Sequence, residues 1–293
     1  MAGPWQKLPP RRGHDARATG PRDRREGAPH ADAATPRDPA PRVPARRGEE
    51  VRLHGLNAVR ALFQARPEAL RKLYLTQARV PALKPLLAWC VANRVGYRVV
   101  EEADLNKLAA SAHHEGVVAD VLRRPPLTLE AWLAALPAGP ALALWLDGVG
   151  NPHNFGAILR SAAHFGVAGL LLPQDSPLAL SGAAARVAEG GAEAVPLVQA
   201  GDSASAFATL RAAGFGLAAT LVEGGDNLFA AKLPQRLVYV MGAEGEGMDR
   251  NLAKTCDLTL SIPGTGRVES LNVASATAVL LAQWASVINF PTI

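Results

Sequence analysis

Cysteine is scarce in this chain: 293 residues hold two, Cys90 and Cys256. Two thiols cannot frame a disulfide-stapled scaffold, and neither stands at a metal-ligand spacing, so both read as small buried apolar residues and no metal is expected. A secretory apolar segment is also missing, because charges and prolines interrupt the first fifty residues throughout. One long stretch, from Leu271 to Phe290, contains no Lys, Arg, Asp or Glu. It is long enough to span a bilayer. However, Asn272, Ser275, Thr277, Gln283, Ser286 and Asn289 interrupt it, and no basic cluster flanks its end. It reads instead as a helix buried in a core or a subunit interface. The expectation is a cytoplasmic protein with no membrane association.

What is present is unevenly distributed. The formal charge is +5, but residues 1–50 carry 11 Lys/Arg against 7 Asp/Glu, a net of +4. The remaining 243 residues carry 20 against 19 and are nearly neutral. Nine prolines and few large apolar side chains mark 1–50 as a disordered basic tail. Such an arm either holds nucleic-acid phosphates loosely, in a salt-dependent way, or is a solvated tail outside the chemistry; both stay open.

Beyond the tail, apolar periodicity predicts a small α/β unit over 51–124. Its helices fall at Leu53–Ala65, Pro81–Ala92 and Glu102–Ala110, and its strands at Lys72–Leu75, Tyr97–Val100 and Val117–Leu122. Arg123-Arg124-Pro125-Pro126 reads as a boundary. A second domain over 127–293 alternates strand and helix. Its strands are placed at 141–146, 169–172, 195–198, 216–221, 237–241 and 258–262. Its helices are placed at 154–165, 182–189, 203–213, 249–255 and 272–288. The fold class is therefore α/β, a mostly parallel sheet with helices on both faces. Ligands on such sheets bind beyond the carboxyl ends of strands.

Three segments at those ends carry polar groups that a core would reject. The first, Asn151-Pro152-His153-Asn154-Phe155-Gly156 with Arg160, follows a buried strand. Asn154 is placed to cap the next helix. Arg160 lies about 200° round that helix from Ile158, away from the apolar stripe of Phe155, Ile158, Leu159 and Ala162. Taken singly, these are a cap and a solvated arginine. The preceding Gly148-Val149-Gly150 suggests a dinucleotide-binding turn, but the third glycine should fall at His153, and Pro152 sits inside the turn. The second segment, Gly242-Ala243-Glu244-Gly245-Glu246-Gly247-Met248, has carboxylates that repel phosphate and no following lysine. It suits a cationic partner, an arginine or a sulfonium; Glu246 reads equally as a charge at a helix start ahead of Asp249. In the third, Ile262-Pro263-Gly264-Thr265-Gly266 turns into Glu269-Ser270-Leu271-Asn272-Val273, with Asn272 or Ser270 capping the last helix.

In this order and at these separations the three segments resemble the signature motifs of the SpoU family of RNA ribose 2′-O-methyltransferases, within the SPOUT superfamily. The resemblance covers roughly 140–290. It implies a C-terminal trefoil knot, which composition and periodicity would never suggest. It also implies S-adenosyl-L-methionine as cofactor, RNA as substrate and a homodimer, commonly formed through the first and last helices of the domain. By motif position it gives Asn154, Arg160, Glu244, Ser270 and Asn272 as catalytic, and Gly242, Ile262 and Leu271 as cofactor-contacting. Gly264, Arg267 and Glu269 depart from the family pattern, which leaves the fine shape of that loop open. The small unit resembles a ribosomal-protein-like RNA-binding domain through His54-Gly55-Leu56-Asn57-Ala58-Val59 and His113-His114-Glu115-Gly116-Val117-Val118-Ala119. As isolated residues, His113 and His114 read as loop surface.

The implied reaction moves a sulfonium methyl to a ribose hydroxyl in one in-line displacement. Arg160 is a poor base, because a guanidinium stays protonated above about pH 12. Its fitting role is to hold a phosphate and to stabilise the developing alkoxide. Glu244 would orient Arg160, and Ser270 with Asn272 would position the ribose. Ribosomal RNA is favoured over transfer RNA by the extra N-terminal unit. The rival classes are a non-catalytic RNA-binding adaptor and a nicotinamide-dependent oxidoreductase.

Overall fold

The computed structural model describes residues 50–242 and 247–288. The first part is a four-stranded sheet in the order β1-β4-β2-β3, with three helices. Its elements are β1 (Glu50–His54), α1 (Leu56–Ala65), β2 (Leu70–Leu75), α2 (Lys84–Ala92), β3 (Gly96–Val99), α3 (Glu102–Ala109) and β4 (Val117–Leu122). β4 runs antiparallel to both β1 and β2, while β2 and β3 are parallel. Val117, Ala119 and Val121 of β4 share a core with Leu53, Val59, Leu62, Leu73 and Cys90. Ala185, from far along the chain, belongs to the same core.

The second part is an eight-stranded sheet in which every pairing is parallel. It begins with β5 (Leu127–Thr128), α4 (Leu129–Ala135), β6 (Ala141–Leu146), α5 (Pro152–His164) and β7 (Gly169–Pro173). Next come α6 (Gly182–Val187), α7 (Gly191–Ala194), β8 (Leu197–Gly201), α8 (Ser203–Ala212) and β9 (Gly216–Leu221). It closes with β10 (Asp226–Asn227), β11 (Arg236–Met241), α9 (Arg250–Lys254), β12 (Leu258–Ser261) and α10 (Val273–Val287). The strand order is β10-β12-β9-β11-β6-β7-β8-β5.

Both faces of this sheet are covered, which explains why β6 is apolar at every position. Leu142, Leu144 and Leu146 pack with Phe155, Ile158 and Trp284 of α5 and α10. Ala143 and Trp145, one residue out of phase, pack with Trp132 and Phe207 of α4 and α8. The uncharged C-terminal stretch thus lies partly in the core, through Thr277, Leu280, Leu281 and Trp284 of α10. Among the described residues no helix is long and apolar enough to cross a membrane.

Several sequence expectations need correction. The helix expected from Leu53 begins at Leu56, because Glu50–His54 is an edge strand paired to β4. The helix expected over 182–189 ends at Val187, and a further short helix, Gly191–Ala194, follows once Gly190 takes φ +97°. The strand expected at 195–198 lies at Leu197–Gly201. β5 and α4 follow the Pro125-Pro126 boundary directly, with Thr128 Oγ1 accepting from the Ala131 amide at 3.2 Å as the helix cap. His114 is buried rather than on a loop surface. Its Nδ1 accepts from the Gly116 amide at 3.0 Å, and Nε2 faces Asn106 Oδ1 at 3.1 Å.

The two sheets are clamped together. Arg66, at the end of α1, makes a bidentate pair with Glu193 of α7 at 2.7 and 2.9 Å and donates to the Leu122 carbonyl at 2.6 Å. The two side chains are only 14% and 6% exposed, so each depends on the other.

Candidate active site

Parallel pairing sets the site. Leu146 of β6 lies opposite Met241 of β11, and Ser261 of β12 lies opposite Leu221 of β9. The chain therefore leaves these neighbouring strands at one edge, where Asp147, Gly242 and Ile262 follow the strand ends. The Asp147 amide donates to the Met241 carbonyl at 2.9 Å, which ties the first exit to the second. Gly247 and Met248 lie against Gly242. A Cβ at 242 would sit 2.5 Å from the Met248 nitrogen and 2.6 Å from the Gly247 carbonyl carbon, so glycine is required there.

The cap of α5 is Asn151, not Asn154. Asn151 Oδ1 accepts from the His153 amide at 2.8 Å, and Pro152 takes the first helical position, where its missing amide costs nothing. The Asn154 side chain has a different task. Its Oδ1 accepts from Asn272 Nδ2 at 3.1 Å, across 118 residues of chain. Asn272 at the same time caps α10, accepting from the Ala274 amide at 2.9 Å and the Ser275 amide at 3.4 Å. The first and third segments thus meet side chain to side chain.

The structure does not bring every expected site residue together. Arg160 is exposed on α5. Six residues separate it from Asn154, about 9 Å along the axis and about 240° round it, so the two occupy different faces. No described residue forms a hydrogen bond or ion pair with its guanidinium. Glu244 lies outside the described residues. Ile262 is partly buried against the core. Residues 263–272 are exposed throughout, including Ser270, Val268 at 72% and Leu271 at 48%.

Sequence reasoning passed over Asp147. It is half-buried at the end of β6, and no cation pairs with it among the described residues. Burial, and secondarily the nearby Asp249, push its carboxyl above the ordinary aspartate range. The signal was available: an acid directly after six buried strand residues marks a carboxyl-end position.

Residues 141–282 match the SpoU rRNA Methylase family, and residues 52–126 match the RNA 2′-O ribose methyltransferase substrate-binding family. The chain is 36% identical over 234 residues to the 23S rRNA (guanosine-2′-O-)-methyltransferase RlmB of Pseudomonas putida, covering 78% of this chain and 94% of that protein.

The chain belongs to the SpoU family.

A second relative is YfiF of Escherichia coli O157:H7, described as an uncharacterized tRNA/rRNA methyltransferase. It is 42% identical over 238 residues, or 81% of this chain and 68% of that protein. The fold is shared with the AdoMet-bound rRNA methyltransferase of Sinorhizobium meliloti, at TM-score 0.69 and 23% identity over 83% of this chain and 89% of the other. SpoU membership argues against a dinucleotide-binding turn at 148–150.

Proposed function

We propose that this protein transfers a methyl group from S-adenosyl-L-methionine to a ribose 2′-hydroxyl of RNA, with ribosomal RNA the favoured substrate. The observation that carries this reading is the Asn154–Asn272 hydrogen bond, which draws the first and third motif segments into one site beside the strand ends. The naming of RlmB as a 23S rRNA (guanosine-2′-O-)-methyltransferase supports the ribosomal choice; transfer RNA is the alternative.

The residues present fit the cofactor. Asp147, half-buried and without a cation partner among the described residues, suits a positively charged ligand. Leu271, half exposed at the mouth, suits a flat apolar one. Gly242, Ile262 and Leu271 would hold it, and when bound it supplies an electrophilic methyl on a cationic sulfur. The ribose oxygen would gain the carbon as the carbon–sulfur bond breaks with its electron pair left on sulfur, and the hydroxyl proton would pass to a neighbouring phosphate oxygen. Arg160 fixes the adjacent phosphate and stabilises the developing alkoxide. Ser270 and Asn272 orient the sugar, Asn154 holds Asn272 in register, and Glu244 steadies Arg160.

Because Arg160 and Asn154 face different ways on α5, the site is completed by a second copy of the chain. A homodimer through α5 and α10 brings one protomer's Arg160 to its partner's Asn272. The strand order β12-β9-β11-β6 supports the knotted arrangement of the family. A cytoplasmic location fits an RNA substrate. The deciding experiment gives the chain methyl-labelled S-adenosyl-L-methionine and unmodified ribosomal RNA. Label should appear on ribose oxygens and resist alkaline cleavage at that nucleotide. Label on a base, or none with ribosomal or transfer RNA, overturns the proposal. Thermal stabilisation by NAD but not by S-adenosylhomocysteine would favour the oxidoreductase instead.

A further inference from the structure

A cavity of about 560 Å³ opens between the small sheet and α6, lined by Thr76, Arg79, Glu102, His113, Glu115 and Arg186 among others. None of these residues takes part in the methyl-transfer site above. The volume suits a ligand of nucleotide size.

The charges lining it are unequally occupied. Arg79 Nε donates to the Glu115 carbonyl at 2.7 Å, which fixes the guanidinium, while its terminal nitrogens meet no acceptor among the described residues. Arg186 meets no acceptor at all among the described residues, although it is half-buried. Its charge is felt nearby: His54 is held below the ordinary imidazole range, by burial first and by Arg186 second. The Glu115 carboxylate is already engaged, since its Oε2 accepts from the Leu56 amide at the start of α1 at 2.9 Å. The Glu102 side chain is 66% exposed at the rim although its Oε1 lies 3.5 Å from Nε2 of the buried His114, and His113 is an exposed residue of the same lining.

Two guanidinium groups with unfilled donors call for an anion that accepts several hydrogen bonds, which describes a phosphate. An exposed carboxylate and imidazole at the rim offer the acceptor and the flat face that an unstacked base can use. We propose that this cavity receives an unpaired nucleotide of the RNA, with Arg79 and Arg186 holding its phosphate and Glu102 and His113 meeting its base. The inference rests on the reading of RNA as substrate, and adds a second contact away from the methyl acceptor. Its position gives it a purpose. Arg186 rides on α6, and α6 touches α5 backbone to backbone, since a Cβ at Gly156 would fall 2.5 Å from the Ala184 carbonyl oxygen. A nucleotide held there is therefore registered rigidly against the helix that carries Arg160.

The test uses the full chain and a fluorescein-labelled RNA hairpin with a mixed-sequence unpaired loop. Replacing both arginines (R79A with R186A) should weaken binding about tenfold or more. It should also make the fall of log K with log salt shallower by about 0.7 for each phosphate that the variant no longer neutralises. S-adenosylhomocysteine affinity, read by calorimetry, should not change. Glu102→Gln should shift preference among loop sequences rather than overall affinity. With 4-thiouridine in the loop, the wild-type chain should cross-link within Leu108–Arg123, a readout that does not depend on the variants folding. Unchanged affinity and salt slope in a folded double variant, or cross-links confined to other segments, overturn this inference alone. A wild-type chain that binds no hairpin overturns the RNA reading with it.

Discussion

Replacing Asn272 by alanine removes two things at once. It deletes the cap of α10, whose Oδ1 accepts from the Ala274 and Ser275 amides, and it deletes the donor to Asn154 Oδ1. Loss of an asparagine cap costs about 1 kcal/mol. A partly exposed side-chain hydrogen bond contributes about 0.5–1 kcal/mol more. The single variant should therefore lose about 2 kcal/mol. Asn272→Ser keeps a capping oxygen on a side chain too short to reach α5, and should lose only the second part. Asn154→Ala removes the same cross-link from the other side. In urea unfolding, the Asn154→Ala/Asn272→Ala pair should fall short of the summed single losses by about 0.5–1 kcal/mol, the coupling carried by that one bond. Methyl transfer should drop far more in Asn272→Ser than its small stability loss explains. Additivity within about 0.3 kcal/mol, or normal turnover by Asn272→Ser, would refute the claim that this bond aligns the two segments.

Gly242→Ala would put a methyl group 2.5 Å from the Met248 nitrogen, so the returning chain must shift, and S-adenosylhomocysteine affinity by calorimetry should fall about tenfold or more. Glu193→Ala strands the Arg66 guanidinium between the sheets and should cost about 3–5 kcal/mol in denaturant unfolding; a loss under about 1 kcal/mol would show that the clamp is idle. Asp147 has a raised carboxyl pKa, so its contribution is most favourable while the group is protonated. That contribution falls as pH rises from the ordinary aspartate value through the raised one. Asp147→Asn should remove this part of the pH dependence of stability; an unchanged profile would place the titration elsewhere.

The sheet was legible wherever burial was complete. β6 stands at the bounds read from its apolar run, because a strand buried at every position leaves no polar residue to blur its ends; β4 and β9 also keep their bounds although each carries one polar residue, Asp120 and Thr220. β1 was misread because Leu53 extends the apolar spacing of Leu56, Val59 and Leu62, so a helical period swallowed an edge strand whose Cα partners lie 64 to 72 residues away. Asn154 was taken for a cap because local pattern offers two asparagines before one helix. Pro152, favoured at the first helical position, was the signal that Asn151 holds that place. The Asn154–Asn272 contact itself could come only from the fold or from resemblance, since nothing local records a meeting across 118 residues. Arg66 and Glu193 were invisible for the same reason: each looks like an ordinary surface charge until the sheets are set side by side.

The most direct test is mass spectrometric mapping of ribose methylation in RNA treated with the wild-type chain and with Arg160→Ala. The account predicts a new 2′-O-methyl group made by the wild type. In Arg160→Ala it predicts a rate lower by orders of magnitude, with S-adenosylhomocysteine still bound at wild-type affinity. Equal methylation by both proteins, or methyl groups found only on bases, would contradict it.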